Sequence, residues 1–158
     1  KHSGKDLSLY DEETKQKIVP HVVCEPSLGV ERTFLVFMFD AYSYDKSREN
    51  VVLKLHPRLA PIKAAVLPLV KNKPEVVNKA REVFMLIRKS FACRYDDSGS
   101  IGRRYARNDE IGTPYCIAVD FDSLNDNCVT IRYRDTTKQT RVKIDELSKI
   151  IDDMIENK

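Results

Sequence analysis

The sequence predicts an α/β protein, in which a mixed sheet is flanked by helices and preceded by a strand–helix unit. Three observations carry this. From residue 63 onward, strand-length apolar runs alternate with segments whose apolar residues recur every three to four positions. Their order is βαβαββ(β)α, which places the parallel part of the sheet at its start. Ahead of them, residues 30–42 are too long for a typical strand and apolar on nearly every face, the mark of a buried helix.

The elements follow in chain order. Residues 1–17 are polar and indicate no clear element. Residues 18–25 read as a strand, with Pro20 near its start or at a bulge because it has no ladder N–H. A Pro-Ser-Leu-Gly turn leads into the helix over 30–42. An all-round apolar helix is unstable alone in water, so it calls for a larger domain around it. The polar residues 43–50 read as a crossing between domains. Residues 51–55 alternate as a strand or extended linker, stopped by His56-Pro57. Residues 63–70 read as a buried strand. Residues 74–91 read as a helix with Pro74 in its first turn and an apolar stripe from Val76 to Ile87. A short strand is expected at 93–96, then a helix over 100–110 with Ser100 as N-cap and Gly112 as its stop. Strands are expected at 114–121 and 128–134, around a polar turn from Asp122 to Asn127. Residues 140–144 suit a short edge strand, and 145–157 a final helix. The division is 1–50 and 51–158, with the compact domain beginning near Pro57.

Composition narrows the class. Hydrophobic residues make up 42% and charged residues 32% of the 158, which fits a globular domain. No apolar run approaches the ~18 residues of a membrane span. There is no signal-peptide pattern and no initial Met, so Lys1 reads as a cut inside a longer chain. Residues 1–56 carry 8 Lys/Arg against 9 Asp/Glu, and residues 57–158 carry 19 against 15. The second part is mildly basic, with arginines at 103–107 and 132–134. That suits a polyanionic partner, although charge alone favours a solvated mixed-charge face. Cys24, Cys93, Cys116 and Cys128 have apolar neighbours and no zinc-ligand spacing, so they read as reduced thiols and no metal site is expected. That points to a reducing compartment.

Two stretches carry candidate chemistry. In residues 20–32, Glu25 and Ser27 lie two apart and point the same way on an extended backbone. They suit an ammonium group, offering one charge and one directional hydrogen bond. Arg32 in the first helical turn offers a planar fork for phosphate oxygens. The same spacing allows a Glu25–Arg32 salt bridge that closes the turn. In residues 95–114, Arg103 and Arg107 share a helix face with Arg104 beside them. The GSIG element lacks the Lys-Ser/Thr pair of a phosphate loop and the third glycine of the dinucleotide fingerprint. Asp109 and Glu110 are as able to pair with these arginines as to oppose RNA.

The stretch EPSLGVER resembles the third signature motif of class II aminoacyl-tRNA synthetases in its glycyl form, and His2 to Leu7 resemble the same family. DDSGSIGRRYARNDEIGTP and its flanks resemble the corresponding glycyl-family segments, so the likeness covers nearly the whole chain. It implies a remnant of the class II catalytic domain over residues 1–50. A mixed, mostly five-stranded anticodon-binding domain would follow over residues 51–158. It implies a glycine–tRNA ligase as parent, with ATP as substrate, Mg2+ expected in the parent enzyme, a cytoplasmic setting and a homodimer without membrane contact. Arg32 would be catalytic and hold the terminal phosphate of ATP, Glu25 would bind the glycine amino group, and Ser27 would close the pocket. The first two motifs would lie upstream, so the fragment alone is not expected to be active. The partner would be the anticodon loop of glycine tRNA, whose bases splay out and stack on planar side chains. Glycine anticodons share two cytosines, whose amino groups donate to carboxylates. Arg104, Arg107, Asp120, Arg132, Arg134 and Asp135 are the candidate contacts, each of which is also able to form an internal salt bridge. A non-catalytic synthetase-like binding module is the alternative. The presence of Glu25, Ser27 and Arg32 argues against it. A nucleotide-binding regulatory domain lacks its glycine-rich loop.

Overall fold

The computed structural model describes residues 4–19 and 26–157. The chain divides into two compact units, one through Thr33 and one from Phe34 onward. In the first, β1 (Leu9–Asp11) and β2 (Gln16–Ile18) form an antiparallel hairpin. Its turn is held by Asp11, whose carboxylate accepts from the Glu13 N–H and the Thr14 hydroxyl. Lys15 takes the left-handed φ of 56° that the tight turn requires. The polar composition of this stretch concealed the hairpin from sequence reading. Of the strand expected at 18–25, Ile18 closes β2, and residues 20–25 lie outside the described ones.

Helix α1 (Val30–Ala41) forms where it was expected. Of its second half, Ala41 is buried, whereas Phe34, Leu35, Val36, Phe37 and Phe39 are exposed, Phe39 by 75%. The polar residues 43–50 fall within a hairpin, in which β3 (Tyr42–Asp45) pairs antiparallel with β4 (Asn50–Leu53). Asp45 organises the turn by accepting from the Ser47 N–H and hydroxyl at 2.9 and 2.6 Å. Tyr, Val and Leu at alternate positions are strand signals, and the polar turn between them masked the pairing.

The main sheet has five strands in the order β6-β5-β7-β8-β9. They are β5 (Ala64–Pro68), β6 (Cys93–Tyr95), β7 (Tyr115–Val119), β8 (Cys128–Tyr133) and β9 (Gln139–Lys143). The first three run parallel, and β8 and β9 are antiparallel additions. Helix α2 (Pro74–Ile87) crosses from β5 to β6, and α3 (Ile101–Glu110) from β6 to β7. Pro74 opens α2, where its missing N–H costs nothing. The Ser100 hydroxyl accepts from the Arg103 N–H at the start of α3. The polar turn expected after β7 winds into a single helical turn, α4 (Ser123–Asp126), and ends on Asn127 with φ 52°. A 3-10 turn (Ile144–Glu146) leads into the last helix, α5 (Leu147–Glu156).

The strand register sorts side chains onto two faces. On one face, Val66, Ile117, Val129 and Ile131 pack against Val76, Ala80 and Val83 of α2 and Leu147, Ile151 and Ile155 of α5. On the other, Ala65, Leu67 and Cys116 lie beneath Ile101 and Tyr105 of α3. Small residues there let the helix approach the sheet closely. Burial pushes the Cys116 thiol up to about 12, so it stays protonated and inert.

Gly112 follows α3 with φ 81°, and a Cβ there would sit 3.1 Å from the Leu53 carbonyl oxygen and 3.2 Å from the Leu55 side chain. Replacing Gly112 with Ala therefore combines backbone strain with a clash against β4. Urea unfolding is expected to show a loss of about 1–2 kcal/mol; an unchanged midpoint would contradict this packing.

Candidate nucleic-acid interface

The parallel part of the sheet is doubly wound. From β5 the chain crosses over one face to β6, then over the other face to β7 on the far side of β5. The carboxyl ends of β5, β6 and β7 therefore lie together at one end of the sheet, its mouth, the end at which such sheets bind ligands. The Leu69 N–H donates to the Val119 carbonyl at 2.7 Å and ties the ends of β5 and β7 together. Around this mouth Leu69 and Phe121 are 37% and 46% exposed, and Leu124 is exposed beside them in sequence. Lys71 and Lys73 on the β5 loop, Arg103 on α3 and Arg141 on β9 are exposed cations.

Asp120 stands at the end of β7. Its carboxylate accepts from the Ser123 N–H and hydroxyl at 2.9 and 2.8 Å and from Arg141 at 2.8 and 3.2 Å. Burial pushes this carboxyl up, but the bonds from Arg141 and Ser123 more than reverse it, leaving it below the ordinary range. Arg141 also binds Asp126 through Nε and Nη2 and donates to Thr130. Five donors thus hold one guanidinium plane in place.

Arg107 lies at the same end of the sheet. It donates to both oxygens of Asp96 and to the Ser98 carbonyl, and its side chain is only partly buried. Arg104 is 2% exposed. It donates to the Gly99 carbonyl at 3.1 and 2.7 Å and to the Pro68 carbonyl, and so fastens the 96–100 loop to the end of β5. Arg132 is 7% exposed and forms a two-pronged pair with Asp109 at 2.9 Å for each bond. Its guanidinium lies 4.7 Å from the Tyr105 ring centre. Burial works against the charged guanidinium, but the bonds to Asp109 outweigh it and raise the pKa further. Arg134, also 2% exposed, donates to the carbonyls of Gly112 and Leu55 and to Asp135. Its own N–H donates to the Pro114 carbonyl, at the opposite end of β7 from Asp120. That strand is roughly 13 Å long at about 3.3 Å per residue.

The anticodon binding domain profile matches residues 63–154. The chain belongs to that family. Curated relatives carry a longer protein. The glycine–tRNA ligase of Acetivibrio thermocellus is 51% identical over 149 residues, 92% of this chain and 31% of the relative. That of Clostridium acetobutylicum is 52% identical over 157 residues, 98% of this chain and 33% of the relative. That of Thermobifida fusca is 49% identical over 158 residues, 96% of this chain and 34% of the relative. The chain spans about a third of the length of these relatives.

Within the anticodon-binding domain, the six candidates read from sequence do not form one surface. Asp120 and Arg107 stand at the mouth of the sheet. Arg104, Arg132 and Arg134 are buried with their donors turned to protein acceptors, and Asp135 lies with Arg134 at the far end. The strand expected at 128–134 forms, and Asp109 and Tyr105 of α3 cover Arg132 while the Leu55 and Gly112 carbonyls cover Arg134. Phe121 and Arg141, which stand beside Asp120, are not among the six. An aromatic residue just after a central strand, and an arginine in register with Thr130 beside Asp120, were the available signals. Among the described residues no helix is long and apolar enough to cross a membrane, and no three His, Cys, Asp or Glu side chains converge as a metal site requires.

The paired carboxylates give the domain an acid-sensitive stability. Burial raises the Asp96 carboxyl, but Arg107 and the Ser98 N–H hold it below its ordinary 3.8, as Arg141 and Ser123 do for Asp120. A lowered native pKa means the unfolded chain binds more protons as acid is added, so stability rises with pH there. The contribution is complete above pH 3.8 and is lost as pH falls through the lowered native values. Unfolding free energy measured against pH is expected to fall steeply below that point, and less steeply in the Arg107→Met variant. The same acid slope in both proteins would contradict this.

Proposed function

We propose that this chain is the C-terminal part of a glycine–tRNA ligase. The complete protein would activate glycine with ATP and attach it to glycine tRNA, and the anticodon-binding domain would read the tRNA loop. The observation that carries this reading is the identity of about half the residues to glycine–tRNA ligases along nearly the whole chain. Residues 1–50 would then belong to the catalytic domain and residues 51–158 to the anticodon-binding domain. Arg32, exposed in the first turn of α1, would meet the terminal phosphate of ATP, and Ser27, also exposed, would face the glycine pocket. Glu25, the proposed partner of the glycine amino group, lies outside the described residues. Mg2+ would arrive with ATP, and no step is assigned to a metal held by this chain. A homodimer in the cytoplasm completes the proposal.

Within the domain we place the RNA at the mouth of the sheet. An unpaired base stacks on Phe121, loop phosphates meet Lys71, Lys73 and Arg103, and the carboxylate of Asp120 accepts from a cytosine amino group. Arg141 holds that carboxylate in one orientation. Arg104, Arg132 and Arg134 are left out because their donors are spent inside the fold.

Filter binding and aminoacylation by the complete protein test both levels. Phe121→Ala is expected to weaken glycine-tRNA binding by about 1–3 kcal/mol, the range for a lost base stack. Asp120→Asn is expected to narrow the preference over anticodon-cytosine variants by roughly 1–3 kcal/mol. Undiminished discrimination in both variants would remove the mouth from the RNA surface. A wild-type protein that does not attach glycine to tRNA in the presence of ATP would contradict the function itself.

A further inference from the structure

The β3–β4 hairpin is a separate two-stranded sheet, and no ladder bond ties it to the five-stranded one. Side chains make that connection. Arg48, in the hairpin turn, is anchored on its own element by a 2.9 Å bond from Nε to Asp45. Its Nη1 reaches Asp109 of α3 at 3.2 Å and the Arg134 carbonyl just past β8 at 2.8 Å, and its Nη2 reaches the Asp135 carbonyl at 3.4 Å. Asn50 adds a bond from its side-chain amide to the Ala106 carbonyl at 3.1 Å. None of these bonds serves the pairing of β3 with β4 or of the main strands. What they fix is the direction of the hairpin on the domain. The hairpin follows α1 without an intervening residue, and the Lys54 N–H donates back to the Ala41 carbonyl at 2.6 Å. Arg48 and Asn50 therefore help to set the direction of the second half of α1 relative to the sheet, beside the contacts of the 53–55 segment with Gly112 and Arg134.

We propose that Arg48 is a positioning residue for aminoacylation: it locks the helix and hairpin leading out of the third-motif region onto the anticodon-binding sheet. This rests on the reading of the chain as part of a glycine–tRNA ligase. Such an enzyme holds one tRNA at two places, the anticodon and the end that receives glycine. When two sites grip one ligand, the stiffness of their connection sets the effective concentration of the second contact. A rigid joint keeps the acceptor end aligned for attack, and a loose one spreads it over unproductive orientations. Arg48 suits this role because it is mostly buried and divides its donors among α3, the end of β8 and its own turn. A lysine offers one point of attachment where the fork offers several.

The test uses the complete ligase with Arg48→Met. The KM for intact glycine tRNA is expected to rise about tenfold, with glycine-dependent pyrophosphate exchange and affinity for an isolated anticodon-arm hairpin RNA each held within about twofold. Arg48→Lys should restore only part of the loss. Asn50→Ala breaks the same joint without leaving an unpaired charge, and a rise of about threefold in the tRNA KM is expected from it. That variant decides the matter if Arg48→Met does not fold. An unchanged tRNA KM would overturn the proposal. So would a parallel loss of anticodon-arm affinity, because Arg48 would then belong to the RNA surface or to its support. A wild-type enzyme that fails to charge glycine tRNA would instead sink the underlying function.

Discussion

Asp109 is the constraint on which the arrangement of this domain depends. It is 1% exposed, near the end of α3, and both of its oxygens are occupied. Arg132 of β8 takes one bond to each oxygen, and Arg48 of the β3–β4 hairpin takes a further one. A carboxylate so far from water is tolerable only when its charge is matched and its lone pairs are filled. One side chain therefore holds a crossover helix, an antiparallel strand and the hairpin at a single point. Removing it would leave two guanidinium groups stranded in a dry setting. That costs more than the pair contributes over an apolar replacement, so the group serves to select this arrangement as well as to stabilise it.

Internal pairing of this kind also accounts for the burial of three arginines read from the sequence as candidate RNA contacts. A basic strand and a basic helix in a sequence look like an electrostatic footprint. Here three of the arginines are spent on the Asp109 pair, on the 96–100 loop and on the 53–55 and 112 carbonyls. Of the basic helix, Arg103 and Arg107 remain at least partly exposed, at the carboxyl end of the parallel strands. The fold thus separates two uses of arginine: buried forks that fix elements, and exposed cations around an aromatic residue at the mouth of the sheet.

Much of the fold was legible in the sequence, because period and punctuation agreed. Pro74, Ser100 and Gly112 mark helix boundaries, and within the runs at 63–70 and 114–121 residues 64–70 and 114–119 are continuously apolar because both faces of those strands are covered. The two short hairpins were not legible. Strands of three or four residues around polar turns fall below the length at which alternation is informative. Burial of Arg104 and Arg134 was not legible either. Their partners are main-chain carbonyls of Pro68, Gly99, Gly112 and Leu55, which carry no signal in side-chain chemistry. Asp109 was recognised as a possible arginine partner, but Arg48 lies 61 residues before it in sequence, and only the hairpin brings the two together.

The claim that Asp109 joins three elements is tested most directly by native-state hydrogen exchange on the chain carrying Asp109→Asn. Protection is expected to fall together in β3–β4, α3 and the end of β8, while β5, β6 and α2 keep theirs. Loss confined to α3, or an even loss across all five strands, would contradict it.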